Sequence, residues 1–200
     1  MPRTPSLFTR RDSLTLAAAV VLLGVLQALP PAWHAVLRYD RDAVLQGELW
    51  RLWTGHLIHL GWVHWALNAC GLVLCCVLAD APPAPRTLLW RFFVLSLGIS
   101  VLFLLLVPHL AHYVGLSGVL YGLFVLALWP GVRRVDPVNL AALCAIIGWL
   151  GWQWIDGPAP SEMKLIGGNI IVQAHGFGVA CALVMLAVPA RRAVPAVLSR

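Results

Sequence analysis

Apolar runs and short polar connections alternate along the chain. Six runs are apolar almost throughout, at residues 14–29, 63–79, 88–107, 115–129, 140–155 and 170–188. Each approaches the ~20 residues that carry a helix across the hydrocarbon of a bilayer. Four stop at proline, at Pro30-Pro31, Pro82-Pro83, Pro108 and Pro130, where a missing N–H and a rigid ring end a helix. The pattern predicts an all-α fold: a polytopic membrane protein, a bundle of six transmembrane helices forming one domain over residues 1–200. The first run has the length of a signal peptide, but no A-x-A-like site follows it and five further runs do.

Composition narrows the classes. Hydrophobic residues make up 60% of the 200 and charged ones 11%, with a mean hydropathy of +0.84. An ordinary soluble domain carries roughly 25% charged residues. Eight acidic and fourteen basic side chains cannot clothe a water-soluble surface of this size, which excludes a cytosolic globular enzyme and a disordered chain. Six spans consume ~120 residues and leave no room for a separate soluble domain. The net charge of +6 would suit a nucleic-acid partner, but the arginines sit in small clusters between apolar runs. Arg3, Arg10 and Arg11 precede the first run, Arg86 and Arg91 follow the second, Arg133 and Arg134 the fourth, and Arg191, Arg192 and Arg200 the sixth. The connection 108–114 is uncharged, and that after the fifth run holds Asp156, Glu162 and Lys164. The positive-inside rule then puts both termini in the cytoplasm. No Asp, Glu, Lys or Arg falls mid-span, which disfavours a transporter or proton pump. The five cysteines, Cys70, Cys75, Cys76, Cys144 and Cys181, fall inside apolar runs and are expected as small buried hydrophobes rather than a disulfide framework.

With charge absent, the informative residues are polar ones at membrane depth, where an unpaired group is costly. His64 and Asn68 are four apart and share a helix face. Zinc ligation by His56, His59 and His64 is conceivable, although no HExxH, adjacent acid or nearby cysteine accompanies them. Alternatively His56, His59, Trp62 and Trp65 form an interfacial aromatic belt, which leaves Asn68 beside His64 unexplained. Ser117 opens the fourth run in Gly115-Leu116-Ser117-Gly118-Val119-Leu120-Tyr121-Gly122. It is either a helix cap or a nucleophile, with Tyr121 one turn away on the same face and Gly118 and Gly122 forming a small-xxx-small packing surface. His175 lies about two turns inside the sixth run, among Ala174, Gly176, Gly178, Ala180 and Ala182. It is either a hydrogen-bonded packing residue or a base. Small residues let two helices approach closely, and a serine hydroxyl is activated when a base stands within about 3 Å. The fourth and sixth runs cross in the same direction, so Ser117 and His175 share the outer half of the bilayer.

These residues resemble the rhomboid family of intramembrane serine proteases. Four blocks carry the likeness, in the family's order: Trp50-Arg51, His64 with Asn68, Gly115-Leu116-Ser117-Gly118 with Tyr121, and Ala174-His175 with Gly178. Tyr113-Val114-Gly115-Leu116-Ser117-Gly118 and Ile166-Gly167-Gly168 look like the rhombosortase branch. His56 and His59 are three apart, where better-known rhomboids have four. The resemblance implies a dyad of nucleophile Ser117 and general base His175, and oxyanion donors from His64, Asn68 and the Ser117 N–H. It implies Tyr121 packed on the His175 ring, Gly118 supporting the oxyanion site, and Gly115, Gly122 and Gly178 as packing residues. It further implies substrates that are membrane-anchored proteins in the lipid bilayer, with no cofactor, metal or nucleic acid. The competing expectation is a non-catalytic rhomboid-like binder of transmembrane segments, which would be expected to lack the serine or the histidine.

Overall fold

A computed structural model of the chain describes residues 9–188. Arg3, Arg191, Arg192 and Arg200, which entered the charge pattern above, lie outside the described residues. Helix α1 (Arg10–Gln27) starts with a reciprocal cap, the Thr9 side chain accepting from the Asp12 N–H and the Asp12 carboxylate from the Thr9 N–H. This arrangement satisfies two of the donors left orphaned at a helix start. Helix α2 (Pro31–Leu37) follows at a bend of 114°. Then come β1 (Tyr39–Asp40), α3 (Arg41–Leu45), α4 (Arg51–Thr54), α5 (Trp62–Leu78), α6 (Pro85–Leu106), β2 (His112–Tyr113), α7 (Ser117–Arg133), α8 (Pro137–Asp156), α9 (Pro160–Ile166) and α10 (Val172–Ala187). The two short strands pair antiparallel, Tyr39 opposite Tyr113 and Asp40 opposite His112.

The molecule is mostly helical, and its apolar faces mark a membrane protein. Helices α6 and α8 are long and apolar enough to cross a bilayer, and α1 with α2 becomes a third such element if the bent pair is one span. Helices α5, α7 and α10 are apolar but shorter, at 17, 17 and 16 residues, or about 25 Å at 1.5 Å per residue. Outward faces carry Val21, Trp90, Leu105 and Val184, each more than half exposed, an apolar coat that a soluble monomer rarely shows. Two cysteines depart from the expectation of burial. Cys75 and Cys76 are buried and Cys181 partly so, but Cys70 and Cys144 are exposed, because they sit on faces of α5 and α8 that no other helix covers; all five are free.

Helix α7 runs through the centre and packs on α10, α8, α5 and α6. It passes the expected stop at Pro130 and ends at Arg133. The proline falls in the last turn, so it removes a single backbone bond, and Asn139 Nδ2 of α8 donates to the nearby Leu128 carbonyl. The core around α7 is made by Leu95, Ile99 and Phe103 of α6 and by Val119 and Leu128, all with no exposed surface.

The connection between α1 and α5, which the apolar pattern leaves blank, is folded. Arg51 is buried, its Nη1 donating to the Ala35 and Arg38 carbonyls at 2.8 and 2.9 Å and its Nε to Glu48 at 2.7 Å. A buried guanidinium is tolerated because every face of it is met. Arg41 donates to the Phe103 and Leu104 carbonyls, filling acceptors left free at the end of α6. These bonds fasten the connection to the end of the bundle that carries Ser117.

Candidate active site

Ser117 is not the N-cap of α7, which is Leu116, but its first residue. It faces α10, where His175 Nε2 lies 3.0 Å from Ser117 Oγ. The His175 ring is stacked on Tyr121, centroids 4.4 Å apart and planes 13° from parallel. Among the described residues no group partners the buried His175 Nδ1. The ring is thus held by stacking rather than by a carboxylate, as it would be in a triad.

The pair meets because two backbones nearly touch. A Cβ on Gly118 would stand 2.9 Å from the Ala174 carbonyl oxygen, and one on Gly122 would stand 2.8 Å from that of Gly178. A Cβ on Gly178 would run into the Gly118 carbonyl oxygen. Packing of this kind places α7 and α10 closer than any larger side chain permits. Gly115 serves a different purpose. Its φ of +127° belongs to glycine, and a Cβ there would come within 2.8 Å of His64 Cε1. The turn is held by the Gly115 N–H on the Gly55 carbonyl at 3.0 Å and the Tyr113 hydroxyl on the Gly115 carbonyl at 2.8 Å.

Across this turn stand His64 and Asn68, both buried on α5. His64 Nδ1 accepts the Leu60 N–H at 3.3 Å, so the neutral ring carries its proton on Nε2, the atom beside Gly115. Asn68 Nδ2 donates one hydrogen to the His64 carbonyl at 3.0 Å and keeps a second. Ser117, His175, Tyr121, His64 and Asn68 all line one cavity of about 1330 Å³. It runs from the folded connection, past the serine, into a cleft between α5 and α8, where Leu67, Gly71 and Leu74 face Ala142, Ile146 and Trp149. At its rim Gln153 Nε2 donates to the Glu162 carboxylate at 3.1 Å, joining α8 to α9.

The interfacial-belt expectation for the first histidines is corrected. His56 and His59 are buried, at 0% and 2% exposure, so neither belongs to an interfacial belt; Trp62 is exposed and packs edge-on against Trp65. Nor do the three histidines converge on a metal: among the described residues no three His, Cys, Asp or Glu are so grouped. His56 turns away to Ser100, its Nε2 3.0 Å from Oγ. Because that hydroxyl donates to the Leu52 carbonyl at 2.9 Å, the imidazole must be the donor.

Burial pushes His56 down to about 3, and burial, helped by His64 and His34, does the same for His59. Both lie outside the apolar helices, in the α4–α5 connection. Their folded pKa values fall below the unfolded 6.5, so the unfolded chain binds more protons between those limits. Stability should therefore be full above pH 6.5 and decline as pH falls toward 3. Unfolding temperature in detergent at pH 7.5 and pH 5 tests this: the value should drop at pH 5, and by less in His56→Gln. A flat profile would mean that the histidines are not buried.

Sequence reasoning missed His34, Arg38, His112, Gln153 and Glu162, which line the cavity. Gln153, a polar residue in an apolar run, was a legible signal; the others come from connections whose folding the pattern does not encode. No curated protein matches the chain. The model of the Rhomboid domain family matches residues 46–192. That stretch is well over half of the sequence, begins just before α4 and takes in the serine, the histidine and both walls of the cleft. The chain belongs to the rhomboid family, whose members are generally intramembrane serine proteases.

Proposed function

We propose that this protein is an intramembrane serine endopeptidase with Ser117 as nucleophile and His175 as general base. The observation that carries this reading is the 3.0 Å separation of His175 Nε2 and Ser117 Oγ, inside a cavity with access from the cleft between α5 and α8. Ser117 Oγ attacks the scissile carbonyl and passes its proton to His175 Nε2. His175 then gives that proton to the leaving amine. Water hydrolyses the acyl-serine by the same steps, with His175 again as base. Negative charge on the carbonyl oxygen meets the Ser117 N–H, His64 Nε2–H and the spare Asn68 amide hydrogen. The Ser117 N–H sits among the orphan donors of a helix start, where the dipole favours an anion. Donors fixed before the reaction are strong stabilisers of a developing oxyanion.

The same reading takes residues 1–200 as one six-span domain, with α5, α7 and α10 as its shorter spans and both termini in the cytoplasm of a bacterial inner membrane. The arginine pattern supports that orientation. Reporter fusions after Arg134 should give a cytoplasmic signal and fusions at His109 a periplasmic one; the reverse result would overturn it.

Substrates follow from the position of Ser117 at the end of its helix. A helical peptide carbonyl is occupied by its own hydrogen bond, so the target must unwind locally. Glycine weakens a helix by roughly 1 kcal/mol per residue relative to alanine. A glycine-rich stretch followed by an apolar anchor and a basic tail is therefore the preferred target. Ile166-Gly167-Gly168 and the Tyr113–Gly118 segment, which look like the rhombosortase branch, favour C-terminal anchors of this form. Co-expression of such a substrate with the wild type, and mass spectrometry of the new C-terminus, should give a cut at the glycines. A cut in the middle of the apolar helix, or equal cleavage after the glycines are replaced by leucines, would defeat this account.

A further inference from the structure

We infer that the cavity wall formed by His34, Arg38 and His59 is a subsite for a carboxylate carried by the substrate polypeptide near the scissile bond. The inference rests on the peptidase reading above and adds a specificity to it. His59 is 2% exposed and lines the cavity, yet among the described residues neither of its ring nitrogens has a partner. Its backbone N–H is already given to Gln27 Oε1 at 3.2 Å. His34 Nε2 and Arg38 Nε, on residues that line the same cavity, are likewise buried and have no partner among the described residues. Four buried polar atoms without partners among the described residues, on three residues that line one cavity, are an unmet demand for hydrogen bonding.

Charge decides what meets it. Arg38 and His112 stand on this wall with His34, His59 and His64, and both are paired with Asp40. That carboxylate is shared between Arg38 Nη2 at 3.6 Å, His112 Nδ1 at 3.3 Å and the Ala43 N–H. Each neutral imidazole offers one donor and one acceptor, whereas Arg38 offers donors alone, so the wall suits an anionic acceptor. The opposite rim is reversed: Glu162 and Gln153 present acceptors, and Gln153 Oε1 is itself buried and unpartnered. A substrate acid is thus drawn to one side of the cavity and repelled from the other.

Distance fixes where that acid lies in the substrate. The His59 and His64 rings are 5.2 Å apart, and His64 abuts Gly115, two residues before Ser117. An extended chain advances about 3.3 Å per residue, so a carboxylate about two to four residues from the scissile carbonyl reaches the wall. A lipid phosphate fits less well, because a headgroup on His59 would lie in the path of the substrate.

The test uses the full-length protein in phosphatidylcholine vesicles and anchored substrates bearing Asp or Asn at each of four positions either side of the cut. At one position Asp should raise kcat/KM about ten-fold over Asn, a modest value for a charge-assisted hydrogen bond, chiefly through KM. Arg38→Gln and His59→Leu should each bring that ratio close to one. Binding of the Asp and Asn peptides to the Ser117→Ala protein reads the subsite without catalysis, so it stands even if no substrate is cut. Tighter binding of the Asp peptide, lost in Arg38→Gln, supports the inference. Equal binding of the two overturns it, since water alone would then satisfy the wall. Displacement of the Asp peptide by glycerophosphoglycerol, the soluble headgroup of phosphatidylglycerol, would give the wall to a lipid phosphate and also overturn it.

Discussion

Ser117→Ala and His175→Ala should each abolish cleavage of an anchored substrate while leaving the protein in the membrane at its usual level. In the proposed mechanism the hydroxyl and the imidazole form one unit: without the base the hydroxyl keeps its proton, and without the hydroxyl the base has nothing to activate. Loss of either member of such a unit costs roughly 10⁶-fold in rate, and losing both costs no more than losing one. The double variant should therefore match the singles. Neither substitution opens a large void, since Ser117 loses one oxygen and His175 lies against the cavity. Normal cleavage by Ser117→Ala would end the enzyme reading. Absence of the protein from the membrane would instead show that the pair is needed for folding.

Gly178→Val should cost both stability and activity. A Cβ at Gly178 lies 3.0 Å from the Gly118 carbonyl carbon and 3.3 Å from the Gly122 nitrogen, all of it rigid backbone. Relief requires α10 to move away from α7, and that movement stretches the His175–Ser117 contact. Overpacking of this kind costs about 1–3 kcal/mol, and more where nothing can yield. A displacement of about 1 Å at a catalytic pair costs on the order of 10²-fold in rate. Gly148 of α8 is the control. Among the described residues a Cβ there meets nothing within 4 Å, so Gly148→Ala should gain the ~1 kcal/mol of helix propensity that glycine forfeits. Unfolding temperature and cleavage rate, measured together, separate the two cases. A Gly178→Val protein as stable and active as the wild type would mean that the helices do not cross as described.

The apolar runs announced every long helix, because a lipid-facing segment has to be apolar for its whole length and its ends are marked by proline. The connections were not legible. Trp50-Arg51 was legible as one of the blocks of the family resemblance, but the burial of Arg51 depends on the Ala35 and Arg38 carbonyls, which arrive through a fold that no periodicity encodes. His56 and His59 read as interfacial for the same reason: a histidine's preference for water or for a serine such as Ser100 is set by long-range packing. At the site, Ser117, Tyr121 and His175 stood out as polar residues in apolar surroundings, with the small residues near them implying a close crossing. Their partners in the cavity, from His34 and Arg38 to Glu162, come from three separate connections and share no spacing that a reader could use. Exposed Cys70 and Cys144 show the limit of composition, since an apolar run does not say which of its faces meets another helix.

Covalent labelling of the purified protein with a fluorophosphonate probe tests the central claim most directly, because it asks for an activated serine without needing a substrate. The account predicts one adduct, located on Ser117 by mass spectrometry, absent from Ser117→Ala and reduced at least about 10²-fold in His175→Ala, since general-base assistance contributes on the order of 10²–10⁴. No adduct on Ser117, or an adduct that forms equally fast in His175→Ala, would contradict it.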